Sequence, residues 1–298
     1  MRPALLLAAV LVVAQVTASE ADSAPPLRVV TFNLFHGGAS SGLTGDDASL
    51  EERLQMVLRE LRALRPDVVA LQEASWGRRR GLVAARLAEG LGLHYAFEAA
   101  SPRVMPLLGT IATWIMNFRE GSAVLSRFPI VARDVTDLPR CNRYLDPRIM
   151  LHAEIDTPWG RLDVASAHPA RADCQLQRIA DVARGWPADR PGIVMGDLNT
   201  WETAPGLGVF GAAGLVDAFR LANPDGDGAT VRQVIDSQFR TASRRIDYVF
   251  LRSAPGRPWR VLASRIILNQ PARHDDGTTL WPSDHYGVLA DLELAPVQ

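Results

Sequence analysis

Continuous apolar runs and helically spaced apolar residues alternate along the first part of the chain. Leu27–Asn33 is a β-branched, apolar run typical of a buried strand. In Leu50–Leu64 the apolar residues recur every three or four positions and glutamates occupy the first turn, which predicts a helix that Pro66 ends. Residues 67–73 predict a second strand. This order indicates a βαβ unit, which places the polar ends of both strands at one edge of a sheet.

The same patterns continue to the carboxyl terminus. Further strands are predicted at residues 94–97, 121–126, 130–137, 149–155, 161–167, 193–195, 245–251, 259–268 and 286–294. Helical spacing predicts helices at residues 79–91 and 172–186 and a small helix within 207–219. No linker-like segment divides the middle of the 298 residues, so we expect one α/β domain over residues 25–298.

Composition and charge narrow the class of protein. Hydrophobic residues make up 47% and charged residues 22% of the chain, as in globular proteins, and the net charge is −1. This balance argues against a protein built for wide contact with nucleic-acid backbone, but it allows a local basic cleft. All 32 residues counted as Lys or Arg are arginines, since the sequence contains no lysine.

The amino terminus predicts export. Met1 and Arg2 precede an apolar run over residues 4–16, and small residues follow around a plausible cleavage point after Ala18. We therefore expect a secretory signal peptide and short linker over residues 1–24, and a periplasmic or extracellular protein. In that oxidising setting Cys141 and Cys174 are expected to form one disulfide, the alternative being two free buried thiols.

Residues 104–118 are unusually apolar. The segment is either a buried connection between strands or an exposed element that makes a peripheral contact with membrane or a lipid substrate. The sequence implies no obligate protein partner.

Polar residues gather at the predicted strand ends. Asp197 and Asn199 follow the strand at 193–195, and their spacing of two predicts side chains on the same face. A carboxylate beside a carboxamide can polarise and orient a water, which suits ester hydrolysis. Each such residue alone could be a turn, cap or core residue, but together they indicate a site. The set is Asn33, Glu73, His168, Asp197, Asn199, Asp247, Asp284 and His285.

Seven short segments carry a family resemblance. In chain order they are TFNLFHG, LQE, GSAVLSRFPI, SAHPA, MGDLNT, RRIDYVF and SDHYG. With them the chain resembles, from about Leu27 to Leu294, the endonuclease/exonuclease/phosphatase superfamily of DNase I-like nucleases, AP endonucleases, inositol polyphosphate phosphatases and bacterial neutral sphingomyelinases. The resemblance implies a four-layer α/β sandwich, with two mixed β-sheets packed face to face, flanked by helices, and the site at one end.

The resemblance also implies roles for these residues. Glu73 would ligate a divalent metal, Asn33 would lie beside the metal or the scissile phosphate, and Asp284 would lie close to the metal. Mg²⁺ is expected, with Mn²⁺ or Ca²⁺ possible, because carboxylate and amide oxygens suit hard cations.

The remaining residues are expected to act on phosphate and water. His285 would contact the phosphate or the attacking water, and Asp247 would hold its imidazole in the required tautomer. Asp197 would activate or position the water, Asn199 would orient it or the phosphate, and His168 would stabilise charge near the leaving oxygen.

The implied function is an exported, metal-dependent phosphoesterase that prefers a phosphodiester. In its export, its cysteine pair and its apolar segment the chain resembles secreted sphingomyelinase-type members of the family. Phe35 stands where some nucleases have an acid, which weakens an AP-endonuclease assignment. A lipid head group and a nucleic acid both stay open as substrates.

Arginines would favour nucleic acid if they lined a groove. The candidates are Arg78 to Arg80, Arg140, Arg143, Arg148, Arg171, Arg244 and Arg245. The alternative from another class is a catalytically silent binding or scaffold protein that keeps the fold. The complete polar set argues against it.

Overall fold

The structure is a computed structural model that describes residues 25–36, 48–100, 119–141 and 148–295. The expected signal peptide and the apolar segment 104–118 lie outside the described residues, so both stay predictions. Within the described ranges, no helix has the length and apolar character needed to cross a membrane.

The strands and helices follow in chain order. The strands are β1 (Leu27–Asn33), β2 (Val68–Gly77), β3 (Gly81–Leu82), β4 (His94–Ala99), β5 (Arg119–Ser126), β6 (Ile130–Asp137), β7 (Ile149–Thr157), β8 (Gly160–Ala167), β9 (Gly192–Asp197), β10 (Leu215–Asp217), β11 (Asp247–Arg252), β12 (Trp259–Ile267), β13 (Ala272–Arg273), β14 (Thr279–Leu280) and β15 (Gly287–Leu294). The helices are α1 (Leu50–Leu64), α2 (Val83–Leu91), α3 (Asp173–Arg184), α4 (Gly208–Ala212) and α5 (Ala218–Ala222).

Two mixed sheets contain most of the strands. The first has the order β12-β15-β1-β2-β5-β4, with β3 paired to β2, and the second has the order β10-β11-β9-β8-β7-β6. β1 pairs with β2 in parallel, and so does β8 with β9, whereas the neighbouring pairs are antiparallel. Strands β13 and β14 form a separate short pair.

Hydrophobic alternation assigns the two faces of each sheet. Val29 and Val68 of the first sheet belong to one buried cluster with Val164 and Met195 of the second, so these faces pack against each other. The next residues along β1 and β2 face the other way and join the apolar residues of α1 and α2. Residues of α3 and α4 cover the outer face of the second sheet. The expected four-layer α/β sandwich is confirmed.

Three elements differ from the sequence expectation. Helix α2 begins at Val83 instead of residue 79, because Gly81–Leu82 pairs with the end of β2 and forms a tight hairpin there. Strand β2 continues to Gly77 and does not end at Glu73. Strand β10 (Leu215–Asp217) lies inside the stretch expected to hold only a small helix and a turn.

A disulfide joins Cys141 and Cys174, whose Cα atoms are 6.2 Å apart. It links the segment after β6 to the first turn of α3, a few residues beyond the end of β8. The expected pairing is confirmed.

The topology brings five strand ends together. Strands β1, β8 and β9 point their carboxyl ends to one end of the sandwich, and the antiparallel β11 and β15 begin there. This end holds most of the polar residues singled out in the sequence.

Candidate active site

Asp197 is the centre of the polar cluster. It is the last residue of β9, and its partner in register is Asp247, the first residue of β11. Its Oδ2 atom lies 3.1 Å from Asn33 Nδ2, 3.4 Å from His168 Nε2 and 3.7 Å from His285 Nε2. Three predicted residues from β1, the end of β8 and the start of β15 therefore surround one carboxylate oxygen.

The surroundings keep Asp197 ionised. Burial by itself would raise its pKa, but the charge of His285, the contact with His168 and the backbone N–H of Asn199 hold that pKa well below its usual range. The Asn199 N–H donates to Oδ1 over 2.8 Å. The carboxylate is thus a buried, fixed negative charge.

His285 carries the opposite charge. Its Nδ1 lies 3.0 Å from Asp247 Oδ2, and both side chains are buried. Burial disfavours the imidazolium, but Asp247 and Asp197 outweigh it and raise the pKa of His285 to about 10. Burial raises the pKa of Asp247, against the attraction of His285. The expected Asp247–His285 pair is present, and its ring is protonated at neutral pH.

Glu73 reaches the cluster through a bulge in β2. The pairing of β2 with β5 shifts between Leu71 and Ala74, and Glu73 has a left-handed φ of 53°. Such a bulge re-aims the side chain. Glu73 Oε1 accepts from Asn33 Nδ2 over 3.2 Å, so this one amide nitrogen joins Glu73 to Asp197.

Two residues that the sequence argument missed adjoin Glu73. His36 Nε2 lies 3.4 Å from Glu73 Oε2 and 3.0 Å from Glu120 Oε2. Burial would raise the pKa of Glu120, but the hydrogen bond from His36 lowers it overall. His36 follows the first strand within TFNLFHG and Glu120 directly precedes GSAVLSRFPI, so the position of both beside family segments was a signal that could have found them.

The expected metal ligands are only partly gathered. Among the described residues, the His, Asp and Glu side chains with ligand atoms within 4.8 Å of one another form the groups His36–Glu73–Glu120 and Asp197–Asp247–His285. Neither group includes Asp284.

Asn33 donates a hydrogen bond to Glu73, whereas Asp284 interacts with Glu73 through charge. The side-chain oxygen Oδ1 of Asn33 accepts from the backbone N–H of Phe35 over 3.0 Å, so the side-chain nitrogen Nδ2 faces the carboxylates. Burial raises the pKa of Asp284, against the attraction of His285, and the charges of Glu73 and Asp197 add to the rise. Asp284 thus lies within electrostatic range of both carboxylates.

The donors around Glu73 fit a divalent cation. They are mainly carboxylate oxygens, with one imidazole from His36. The negative charges of Glu73 and Asp197 also repel that of Asp284, and a cation between them would reduce this repulsion. Oxygen donors of this kind suit hard divalent cations, and Mn²⁺ also accepts an imidazole. The chemistry of the donors thus agrees with the expected cation without identifying it.

Asn199 and His168 lie at the same end for separate reasons. Strand β9 ends at Asp197 and Asn199 has a left-handed φ of 49°, so the strand alternation from which the same-face arrangement was expected does not extend to Asn199. The Asn199 amide instead donates to the Pro169 carbonyl over 3.0 Å. His168 follows β8, and the Arg148 guanidinium lies 2.9 Å from its Nε2.

Buried polar contacts hold the loops that carry these residues. Arg53 of α1 donates to the carbonyls of Leu34 and Phe35 after β1 and to that of Pro282. Ser283 Oγ donates to the Asn33 carbonyl over 2.7 Å and accepts from the His285 N–H. These contacts therefore fix the carboxyl end of β1 to the loop before β15.

An open pocket of about 410 Å³ adjoins the cluster. His285 and Asn199 form part of its wall, and the rest includes Arg171, Trp201 and Arg244. A pocket of this volume holds a small ligand or part of a larger one.

Comparisons with known proteins agree with the fold. The model of the Endonuclease/Exonuclease/phosphatase family matches residues 30–285. A solved endonuclease/exonuclease/phosphatase from Beutenbergia cavernae is 24% identical, with a TM-score of 0.65 over 92% of this chain and 73% of that chain. A mannosyl-6-phosphatase from Bacteroides thetaiotaomicron is 20% identical, with a TM-score of 0.65 over 89% of this chain and 99% of that chain.

A truncated TDP2 from Caenorhabditis elegans is 16% identical, with a TM-score of 0.61 over 90% of this chain and 97% of that chain. At these identities the similarity shows the fold. A search of curated proteins finds no match to this chain.

Proposed function

Because the chain belongs to the endonuclease/exonuclease/phosphatase family, whose members hydrolyse phosphoester bonds, we propose that it is a divalent-metal-dependent phosphodiesterase. The observation that carries the proposal is the arrangement around Asp197, where an ionised carboxylate and a protonated His285 face the same space. That pairing offers an acceptor for a water proton beside a donor for a phosphate oxygen.

The charges assign a role to each side of the arrangement. Asp197 accepts a hydrogen bond from the attacking water and orients it in line with the scissile bond. His285 Nε2–H donates to a phosphate oxygen, and Asp247 keeps the proton on Nδ1 and holds the ring in place. His168, with Arg148 beside it, stabilises charge that develops on the leaving oxygen. Asn199 orients the water or the phosphate.

Glu73 is the residue we propose to hold the cation, with Asp284 and Glu120 near it and Asn33 bracing the carboxylate. Mg²⁺ is the first choice. A divalent cation held by these residues would offset the negative charge of the phosphate. The repulsion among the carboxylates, which such a cation would relieve, supports the proposal.

A diester is favoured because the pocket beside His285 has room for a second substituent on phosphorus. One of the similar structures is a mannosyl-6-phosphatase, so a preference for phosphomonoesters is the competing hypothesis. Both a lipid head group and a nucleic acid fit the chemistry, and a close relationship to secreted sphingomyelinases stays a prediction.

We also propose export, which amino-terminal sequencing of the mature protein would test.

Hydrolysis assays test the function. Purified protein is incubated with bis(4-nitrophenyl) phosphate, sphingomyelin or plasmid DNA, each with Mg²⁺ and with EDTA. We expect turnover of a diester that EDTA removes and that His285→Ala abolishes. Steep inhibition by salt would favour DNA over lipid. Turnover that survives both treatments, or a purified protein inert toward every ester tried, would reject the proposal.

A further inference from the structure

The pocket beside His285 is lined by three arginines. Arg171, Arg232 and Arg244 contribute to its wall, together with Trp201. All three side chains are exposed, although the protein as a whole has a net charge of −1. Positive charge is therefore concentrated at this place next to the proposed catalytic histidine.

Trp201 organises two of these side chains. The guanidinium carbon of Arg244 lies 4.2 Å from a ring centroid of Trp201, and that of Arg171 lies 4.9 Å away. Trp201 itself is 38% exposed. A cation over an aromatic face is attracted to it without using its N–H donors. The stack thus holds two guanidinium groups in place while their donors stay available for a ligand.

Neighbouring arginines are used differently. Arg245 is buried and pairs with Asp217 and Glu202, and Arg220 pairs with Glu202 as well. Within the part of the chain that the structure describes, no carboxylate forms an ion pair with Arg171, Arg232 or Arg244. The pocket therefore keeps net positive charge, where structural arginines a few residues away are neutralised.

We propose that this pocket binds a second phosphoryl group of the substrate, gripped by Arg171 and Arg244 and attracted by Arg232. A guanidinium fork matches the oxygens of a phosphate, which explains why arginines line the pocket. Because His285 belongs to the same wall, the second phosphoryl group lies beside the one that is hydrolysed. The inference rests on the proposed function, since it names which phosphoesters the site prefers.

Binding measurements test the inference without relying on turnover. Isothermal titration calorimetry compares thymidine 3′,5′-bisphosphate with thymidine 5′-monophosphate, and fructose 1,6-bisphosphate with fructose 6-phosphate, on the wild-type protein. We expect the bisphosphate to bind about tenfold more tightly than its monophosphate in at least one pair, since a hydrogen bond to a charged group is worth about that factor. A gain confined to the thymidine pair indicates a nucleic-acid strand as the source, and a gain in both pairs indicates free bisphosphates.

Arg171→Gln and Arg244→Gln are each expected to reduce the bisphosphate preference of the wild type, because each removes one guanidinium group from the pocket. Arg260→Gln is the matched control, because Arg260 is exposed and pairs with Glu293 at the opposite end of β15 from His285. Thermal melts confirm that the variants are folded. Equal affinity for mono- and bisphosphates in the wild type, or a preference that persists in both pocket variants, would overturn the inference.

Failure here is distinguishable from failure of the proposed function. A protein that hydrolyses diesters but binds both ligands of each pair equally refutes only the second-phosphate pocket. A protein that prefers bisphosphates but hydrolyses no ester supports the pocket and refutes the proposed activity.

Discussion

Asp197 and His285 illustrate how a buried residue acquires its chemistry from its neighbours. Either side chain alone would lose its charge on burial, since desolvation penalises the ionised form. Placed with their partners, one has a lowered and the other a raised pKa, so both are charged at neutral pH. This mutual stabilisation gives the end of the sandwich a fixed polarity.

We therefore expect Asp197→Asn and His285→Ala each to lower kcat by about 10²-fold to 10³-fold, as when a group that stabilises transition-state charge is removed. Steady-state kinetics measure the loss, and circular dichroism and thermal melts check the fold. Asp134→Asn, an exposed carboxylate on β6, is the control and should leave both unchanged. Removal of His285 leaves the buried carboxylates of Asp247 and Asp197 without their counter-charge, so this variant is expected to melt below the wild type, and its kinetics are measured below its melting temperature. A kcat close to that of the wild type in either site variant would contradict the site role given to that residue.

At the scale of elements, close approach of backbones decides where the site can form. A Cβ atom on Gly196 of β9 would lie 1.9 Å from the Ala167 carbonyl oxygen of β8. Only glycine allows these parallel strands to meet immediately before Asp197 and His168. The small residue in MGDLNT thus has a packing reason that the sequence pattern did not show.

Gly196→Ala should destabilise the protein by about 1–3 kcal/mol or more, because the clash is with backbone that has no room to move. Urea unfolding measures the change. Gly211→Ala provides the control, since Gly211 lies in helix α4 with open space around it and alanine is the better helix former there. Equal effects of the two substitutions would contradict the packing argument.

Glu202 connects three elements through charge. It pairs with Arg220 of α5 and with Arg245 just before β11, and it lies in the loop after β9. The hydrogen bond from Arg220 is the largest influence on its pKa, which falls to about 2 although burial opposes the fall. The ion cluster fixes the loop that carries Trp201.

This shift predicts an acid-sensitive contribution to stability. A lowered folded-state pKa stabilises the protein above the ordinary value of 4.5, and the contribution is lost as the pH falls toward 2. Urea unfolding between pH 6 and about pH 3 should show a smaller pH-dependent loss for Glu202→Gln than for the wild type. Glu89→Gln, on the exposed face of α2, should keep the wild-type profile. A Glu202→Gln profile identical to the wild type would refute the linkage.

At the scale of the whole molecule, one disulfide crosslinks the chain around two neighbouring strands of the second sheet. Cys141 and Cys174 are 33 residues apart, and the loop they close contains β7 and β8. A crosslink of this span restricts the unfolded chain. It also suits an exported protein.

Replacing both cysteines by serine should lower the free energy of unfolding by about 3–4 kcal/mol, from the entropy of closing a loop of this length. Urea unfolding of the oxidised wild type and the double variant measures the difference. Mass spectrometry after alkylation gives an independent check. Two alkylatable thiols in protein that was never reduced would show that the disulfide does not form.

Much of the site was predictable because it depends on strand ends. Asn33, His168 and Asp197 are recognisable from apolar runs that end in a polar residue, and Asp247 and His285 from polar residues at the start of such runs. All five lie at one end of the sandwich. The family segments added the roles. Strand periodicity is local, so these placements needed no knowledge of distant contacts.

The sequence by itself therefore determined the layered α/β fold, the cysteine pair and the strand-end residues of the candidate site, since patterning and short segments carry that information. The tertiary structure alone decided which side chains meet. The bulge that aims Glu73 and the approach of His36 to Glu120 depend on contacts between residues far apart in the chain. The different uses of the arginines also depend on such contacts. The sequence does not distinguish an arginine of the pocket from one in an ion pair, because the difference is whether a carboxylate of another element lies next to it.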